Sequence, residues 1–494
     1  MEKTKLDYEQ RKKSMKYSVA EGMGYSLMSG AGEAYLPAAA IALGASNFQI
    51  GMLTALPQLA GALLQALTIH LMRLIQDRRT LVMAGAFFQA LSWMPIIAAM
   101  FWPGELSVSI LIFFYTLGVG ATMITSPAWS SWIADIVHEN ERAQFFAKRN
   151  RIMQLVLFSA TFATGVVLRQ LELHMPATVA FSLVFIIPFL ARLSTVFFHS
   201  QISSVKYEMQ LLKEIKLKHL FLLPSYRNEL WFLFFIASMN FAVQFASPFF
   251  TPYMLNQLGF DLGMLGIMTA LSVFAKIMSY PYWGNAIDRF GNRSVLLATA
   301  LAAPFVPLLW LFSSDPIWIG ALQVFSGFVW SGFDLASVNL ALSLVGRELR
   351  PSFMSKYNMF SGFFNAIGAA AGGLFLANFA SFELLGFQGI LLVFLISGSM
   401  RLMVVFAFAS KILKGGTDLA NKTEQRTIIF NLVAIYPTQG AVEHALNGWN
   451  FTRKVVKKEV EKSKKAIESG IDSTGRIIRG GKEKIERLIR KKRL

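Results

Sequence analysis

Three ionisable side chains stand inside stretches that are otherwise apolar: Glu33, Lys276 and Asp334. A charge in such a setting is costly, so it is kept where it meets a partner or a water-filled path. Desolvation favours the protonated form of a carboxylate there, and a nearby ammonium favours the ionised form. Glu33 or Asp334 set against Lys276 could therefore exchange a proton as a polar solute arrives. The other reading of such a pair is a static salt bridge holding two halves of the molecule in register. Uncharged polar groups extend the set: Gln58, Asn240, Gln244 and Asn339, with Gln65, Ser126, Ser130, Gln154, Asn358 and Asn365. Asn240 and Gln244 are four residues apart and share one helical face. Many such groups serve only as hydrogen bonds between helices. Trp129, Trp132 and Trp330 are either packing or cation-binding walls.

The elements that must position these groups follow from composition. The 494 residues are 54% hydrophobic and only 15% charged, with a mean hydropathy of +0.48, too apolar for a water-soluble chain. Apolar runs of about 20 residues, the length that crosses a bilayer core, recur as far as Lys411. Twelve spans are expected. The first six are Tyr17 to Leu43, Phe48 to Ile75, Leu81 to Trp102, Val108 to Ile136, Ile152 to Leu171 and Ala177 to Phe198. The second six are Leu230 to Leu258, Leu262 to Ile287, Val295 to Phe312, Ile317 to Leu344, Met354 to Phe379 and Leu384 to Ala409. Alternate loops are basic, with Arg73, Arg78 and Arg79, then Arg142, Lys148 and Arg149, then Arg289 and Arg293, then Arg347, Arg350 and Lys356. The intervening loops carry Glu105, Glu172, Asp261, Asp315 and Glu383. That alternation puts both termini and the linker in the cytoplasm, with the protein expected in the cell membrane. The charged N-terminus reads as a cytoplasmic tail without a removed signal peptide. Cysteine is absent, which excludes disulfides and thiolate chemistry.

The chain also repeats itself. Leu43 to Leu56 aligns without a gap on Leu258 to Leu271, and Arg142 to Asn150 on Arg350 to Asn358. Both matches imply a shift of about 210 residues, so a six-helix half occurs twice in the same orientation. The expected organisation is a tail (1–16), a first half (17–200), a linker (201–229), a second half (230–411) and a basic tail (412–494). Parallel halves of this kind hold a solute between them near the midplane and rock around it. ATP is excluded as the energy source, because Gly475 to Glu483 misses the phosphate-loop spacing and puts Glu483 where Ser or Thr would hold magnesium.

After the eighth span stands Gly284-Asn285-Ala286-Ile287-Asp288-Arg289-Phe290-Gly291-Asn292-Arg293. This segment resembles the signature loop of the major facilitator superfamily, G-x-x-x-D-R-x-G-x-R, at every fixed position. The resemblance covers roughly Met15 to Lys411. It implies an all-α integral membrane fold of twelve transmembrane helices in two parallel six-helix halves. It also implies that helices 1, 4, 7 and 10 line a central cavity and that 2, 5, 8 and 11 flank it, so that Glu33, Lys276 and Asp334 could all face the path. The loop in that family latches the cytoplasmic gate, a role that would fall to Gly284, Asp288, Arg289, Gly291 and Arg293. The first-half copy departs from the pattern, with His70 in place of Gly and Leu74 in place of Asp; Asp77 and Arg78 are the groups from which a latch there could be rebuilt.

The expected activity is gradient-driven transport of a small organic solute, coupled to protons, without cofactor or metal. No enzyme constellation is present in the sequence. Two rivals remain: a non-transporting membrane sensor or scaffold acting through its tail, and a lipid transporter. Basic segments such as Arg453 to Val460 and Lys482 to Lys492 carry much of the net charge of +18. They suit anionic lipid headgroups, at about 1 kcal/mol per basic residue, better than nucleic acid.

Overall fold

The structure is a computed structural model that describes residues 7–64, 67–205, 217–346 and 349–414. The basic tail, Gln65 and the side chains of Arg73, Arg142 and Arg347 lie outside the described residues.

Among the described residues twelve helical rods follow one another, with a short helix, Leu217–Leu222, between the sixth and the seventh. In the first half, α1 is Tyr8–Ala31 continued by a 3-10 turn, Glu33–Tyr35, and a short helix, Leu36–Ala42. Then come α2 (Asn47–Leu64 and Thr68–Ile75), α3 (Arg78–Ala99), α4 (Glu105–Ile136), α5 (Glu139–Glu172) and α6 (Ala177–Gln201). The second half comprises α7 (Pro224–Gln257), α8 (Leu262–Phe290), α9 (Asn292–Leu311), α10 (Pro316–Leu344), α11 (Arg350–Phe379) and α12 (Gly389–Lys414). A two-residue hairpin, β1 (Glu383–Leu384) with β2 (Phe387–Gln388), joins the last two rods. Ten rods are long and apolar enough to cross a bilayer. The remaining two are α1, which carries Glu21 and Glu33 and breaks at Gly32, and α2, which is split near its middle.

Helix starts follow local capping. Asp77 accepts from the backbone N–H groups of Arg79 and Thr80 at the head of α3, and Asp261 and Asp315 do the same for α8 and α10. Several rods outrun the apolar stretch that announces them. Helix α5 begins at Glu139 rather than Ile152, so Lys148 and Arg149, expected in a loop, stand on a helix. A run of apolar residues marks the part of a helix that meets lipid, and a polar helix continuing beyond it leaves no such mark.

The halves meet along two seams. Helix α2 lies against α11, where a Cβ on Gly51 would stand 3.0 Å from Gly373 Cα. Helix α5 lies against α8, where a Cβ on Gly165 would stand 2.8 Å from Gly266 Cα. Both crossings lie at the end of the molecule away from the linker. The Tyr35 hydroxyl wedges there too, donating to the Thr161 carbonyl at 2.6 Å. An ion pair between Arg169 and Asp261, 3.2 Å apart, adds a link between α5 and α8. The large apolar cluster at this far end draws on both halves, joining Met28, Tyr35 and Leu168 with Phe249, Leu262 and Trp310. The cluster at the linker end, built on Trp132, Ile136, Phe145 and Ile202, contains first-half residues alone. The halves are thus closed on each other at the far end. Within the second half, Gly368 and Gly372 seat α11 on α7, since a Cβ on either would strike the carbonyl oxygen of Phe241 or Phe245.

Candidate functional site

Between the halves lies a cavity of about 570 Å³, within the range of small-molecule sites. Its wall comes from α1, α2, α4 and α11, and so from both copies of the repeat. The break in α1 puts Glu33 in that wall. Its Oε2 accepts from the Ser29 hydroxyl at 2.7 Å. Across from it α11 presents Asn358, Ser361 and Asn365, spaced three and four residues apart on one face, and α2 contributes Gln58. Glu33 and Gln58 are therefore cavity residues. Asn240, Gln244 and Asn339 are half-buried and lie outside the described lining, and the Gln244 Oε1 is buried without a hydrogen bond.

Lys276 and Asp334 come together. The ammonium on α8 donates to the Asp334 carboxylate on α10 at 2.6 Å, with the two side chains 33% and 48% exposed. Both helices belong to the second half, so the pair does not hold the two halves in register, as one reading of the sequence had it. Nor does Glu33 reach Lys276; among the described residues its hydrogen-bond partner is Ser29, on its own helix.

The first half holds a second set of buried charges. Glu21 on α1 pairs with Arg149 on α5 at 2.7 Å, their side chains 5% and 7% exposed. Arg149 also donates to the Ser18 carbonyl, and Trp129 Nε1 donates to Glu21 at 3.0 Å. His199 Nε2 lies 3.5 Å from the other Glu21 oxygen. Arg192 on α6 is buried, stacks over Tyr25 at 5.2 Å and interacts electrostatically with Glu33. In the second half Arg401 on α12 is buried over Trp330 at 5.8 Å and donates to the Ala303 carbonyl. The tryptophan walls are thus taken by the chain's own cations or by His199, which stacks on Trp132, while Arg149 sits 4.4 Å over Trp129. Sequence reading did not single out Arg192 and Arg401. Their signal was a third match between the two copies of the repeat: Arg192-Leu193 with Val196-Phe197 matches Arg401-Leu402 with Val405-Phe406 at a shift of 209.

The signature loop closes α8 and opens α9. Gly291 has φ +81°, a conformation glycine adopts without cost, and ends the helix. Arg293 donates to the Ile412 carbonyl of α12, in its own half. Asp288 makes no hydrogen bond or ion pair among the described residues, and a Cβ on Gly284 would meet nothing. In the first half Asp77 and Arg78 are already engaged. Arg78 pairs with Asp135 at 2.7 Å, and Asp77 caps α3 while accepting from Ser204 at 2.9 Å. Burial alone would raise the Asp77 carboxyl; hydrogen bonds from Thr80, Ser204 and the backbone outweigh that and hold it below the ordinary range.

Two parallel six-helix bundles around a shared cavity define a membrane protein of the two-half transporter architecture. Residues 230–456 match the sequence profile of the Major Facilitator Superfamily, and the fold is an all-α, multi-pass membrane fold of that superfamily's topology. No curated protein matches significantly by sequence. Among solved structures, a mutant of the nucleoside transporter NupG superposes with a TM-score of 0.67 at 13% identity, over 81% of this chain and 99% of that one. A bacterial homologue of the iron transporter ferroportin, in an inward-facing state, gives 0.60 at 14% identity over 83% and 100%. A bacterial homologue of the human lysosomal transporter Spinster, inward-facing and unoccupied, gives 0.60 at 12% over 83% and 97%. At these identities the likeness is one of fold.

Proposed function

We propose that the protein carries a small organic solute across a bilayer by alternating access of its two halves, with a proton moving on the Glu33 carboxylate. The cavity carries this reading: it lies between the halves, is shut at the far end by glycine seams, and has a carboxylate in its wall at a break in α1. A carboxylate half-buried in a solute cavity changes charge as water and solute enter and leave, which is what coupling requires. The half-exposed Lys276–Asp334 pair is a second group that solute or proton can open. Solved proteins of this fold include transporters of nucleosides and of iron, which supports transport as the activity and leaves the solute to be found. The linker end, where basic residues collect, is the cytoplasmic end in this reading. The signature loop is then the latch of the opposite state, with Asp288 unengaged while the far end is closed.

The test is proton movement in proteoliposomes loaded with a pH dye and challenged with a pooled solute library. A solute-triggered pH change in the wild type, lost in Glu33→Gln and retained in Asn339→Leu, supports the reading. Uptake of solute without any pH change sinks proton coupling. A pH change that persists in Glu33→Gln and disappears in Asp334→Asn moves the coupling group to the second half.

A further inference from the structure

The hydrogen-bonding groups of the cavity are uncommitted. Gln58, Asn358 and Asn365 make no hydrogen bond among the described residues, and the Ser361 Oγ is buried without any partner. Buried polar groups are almost always satisfied, so the Ser361 Oγ calls for a partner, while exposed Asn358 and half-buried Gln58 and Asn365 hold their donors and acceptors open to whatever enters the cavity. The charges around it, by contrast, are already matched. None of the described lining residues is Lys, Arg or His, and Glu33 is the one carboxylate among them. Arg192, buried behind the lining residue Tyr25, interacts with Glu33 electrostatically but forms no salt bridge with it among the described residues. Lys276 is matched by Asp334 and Arg149 by Glu21. Arg401, also embedded, has no carboxylate beside it among the described residues; it is 1% exposed, held by backbone carbonyls and absent from the lining. An anionic solute would thus give up its hydration without finding an unpaired counter-charge in the wall, and a cationic one would meet Glu33 alone, in competition with Arg192 behind it.

We propose that the solute is an uncharged molecule rich in hydroxyl or amide groups, read by the Asn358–Ser361–Asn365 ladder on α11 together with Gln58 on α2. This rests on the transport reading of the same cavity and sharpens it. Amide side chains both donate and accept, so the ladder suits a solute edge that alternates the two, as ring hydroxyls and heterocyclic amides do. One oxygen of Glu33 already accepts a hydrogen bond from the Ser29 hydroxyl, and the other is left to accept from a solute hydroxyl or N–H. Tyr25 and Tyr115 add aromatic surface for the apolar face of a ring. Because Gln58 belongs to the first half and the ladder to the second, a solute bound to both ties the halves together.

The experiment uses the purified full chain in detergent and reads thermal stabilisation by three groups of probes. Adenosine, glucose and N-acetylglucosamine are uncharged, choline and agmatine are cations, and succinate and ribose 5-phosphate are anions. Stabilisation by an uncharged probe, with affinity reduced about tenfold in Asn358→Leu or Asn365→Leu and unchanged in Asn378→Leu, is the expected result. Failure of every uncharged probe overturns the proposal, as does binding of an ionic probe that survives both ladder variants. Counterflow in liposomes separates this from the parent reading. An uncharged probe that binds without counterflow removes transport and leaves the solute class standing; counterflow of an anion or cation alone removes the class and leaves transport.

Discussion

Replacing Gly165 or Gly266 by alanine should open the far end of the molecule. A Cβ on Gly165 would stand 2.7 Å from the Tyr35 hydroxyl and 2.8 Å from Gly266 Cα, and one on Gly266 would stand 2.8 Å from Gly165 Cα. Carbon atoms rest at about 3.5–4.0 Å, so α5 and α8 must part by roughly 1 Å. Overpacking of this kind costs about 1–3 kcal/mol. Alanine gains about 1 kcal/mol over glycine in helix propensity, and that gain is the same whether the far end is open or shut. It cancels from the equilibrium between those states, and the steric cost falls on the closed one alone. The ratio of closed to open should fall roughly 5–150-fold. The chain has no cysteine, so Ser46→Cys and Ser314→Cys, one in each half at the far end, accept spin labels without background. Each glycine variant should shift the distance distribution between the labels toward longer values, and Tyr35→Phe should return part of the shift in Gly165→Ala. Unchanged distributions in both variants, in protein that still unfolds cooperatively, would refute the idea that these glycines hold the seam.

Further outcomes follow from burial and chemistry. Glu21→Gln or Arg149→Met leaves one buried charge unpaired and should lower stability by about 3–5 kcal/mol, while Asp334→Asn, at a half-exposed pair, should stay within about 1 kcal/mol, both read by thermal unfolding in detergent. The Asp77 carboxyl is held below its ordinary value of 3.8, so its contribution is present above that pH and is lost as pH falls through the lower folded value. Acid unfolding should show that loss in the wild type and less of it in Asp77→Asn. Gly372→Val drives a side chain into the Phe245 carbonyl and should reduce folded yield, whereas Gly284→Ala, facing open space, should leave unfolding unchanged.

The fold was legible because the bilayer reduces it to a count. Apolar runs, alternating basic loops and the repeat all point to twelve rods in two halves, and the loop at Gly284 to Arg293 points to the class. What the sequence hid was partnership. Lys276 and Asp334 lie 58 residues apart, and nothing in either neighbourhood says that α8 and α10 touch there. Arg149 read as an anchoring loop residue because its helix is polar for its first turns, yet it is buried against Glu21. The break at Gly32 was equally silent: a Cβ there would collide with the Trp93 ring, a close approach that only the packed structure reveals. That break is what turns Glu33 toward the cavity.

The two buried arginines show how a duplicated frame came to carry unequal halves. Arg192 and Arg401 occupy matching positions on α6 and α12, each stacked over an aromatic ring and each with a buried Nε lacking a hydrogen bond. Around Arg192 the chain places Glu21 and Glu33, both on α1. The gap-free match that sets Leu43 on Leu258 puts Ile236 and Pro248 at the corresponding places on α7, and Arg401 is held by carbonyl oxygens instead. A carboxylate can take up a proton and a carbonyl cannot, so of these two settings the first has a counter-ion whose charge can change. The second half has its own pair, Lys276 with Asp334, on α8 and α10 rather than on the helix that repeats α1. A titratable carboxylate and the amide ladder thus face the cavity from opposite halves, Glu33 on α1 and Asn358 with Asn365 on α11. A solute that bridges them binds one half through a group whose charge can change and the other through groups whose charge cannot.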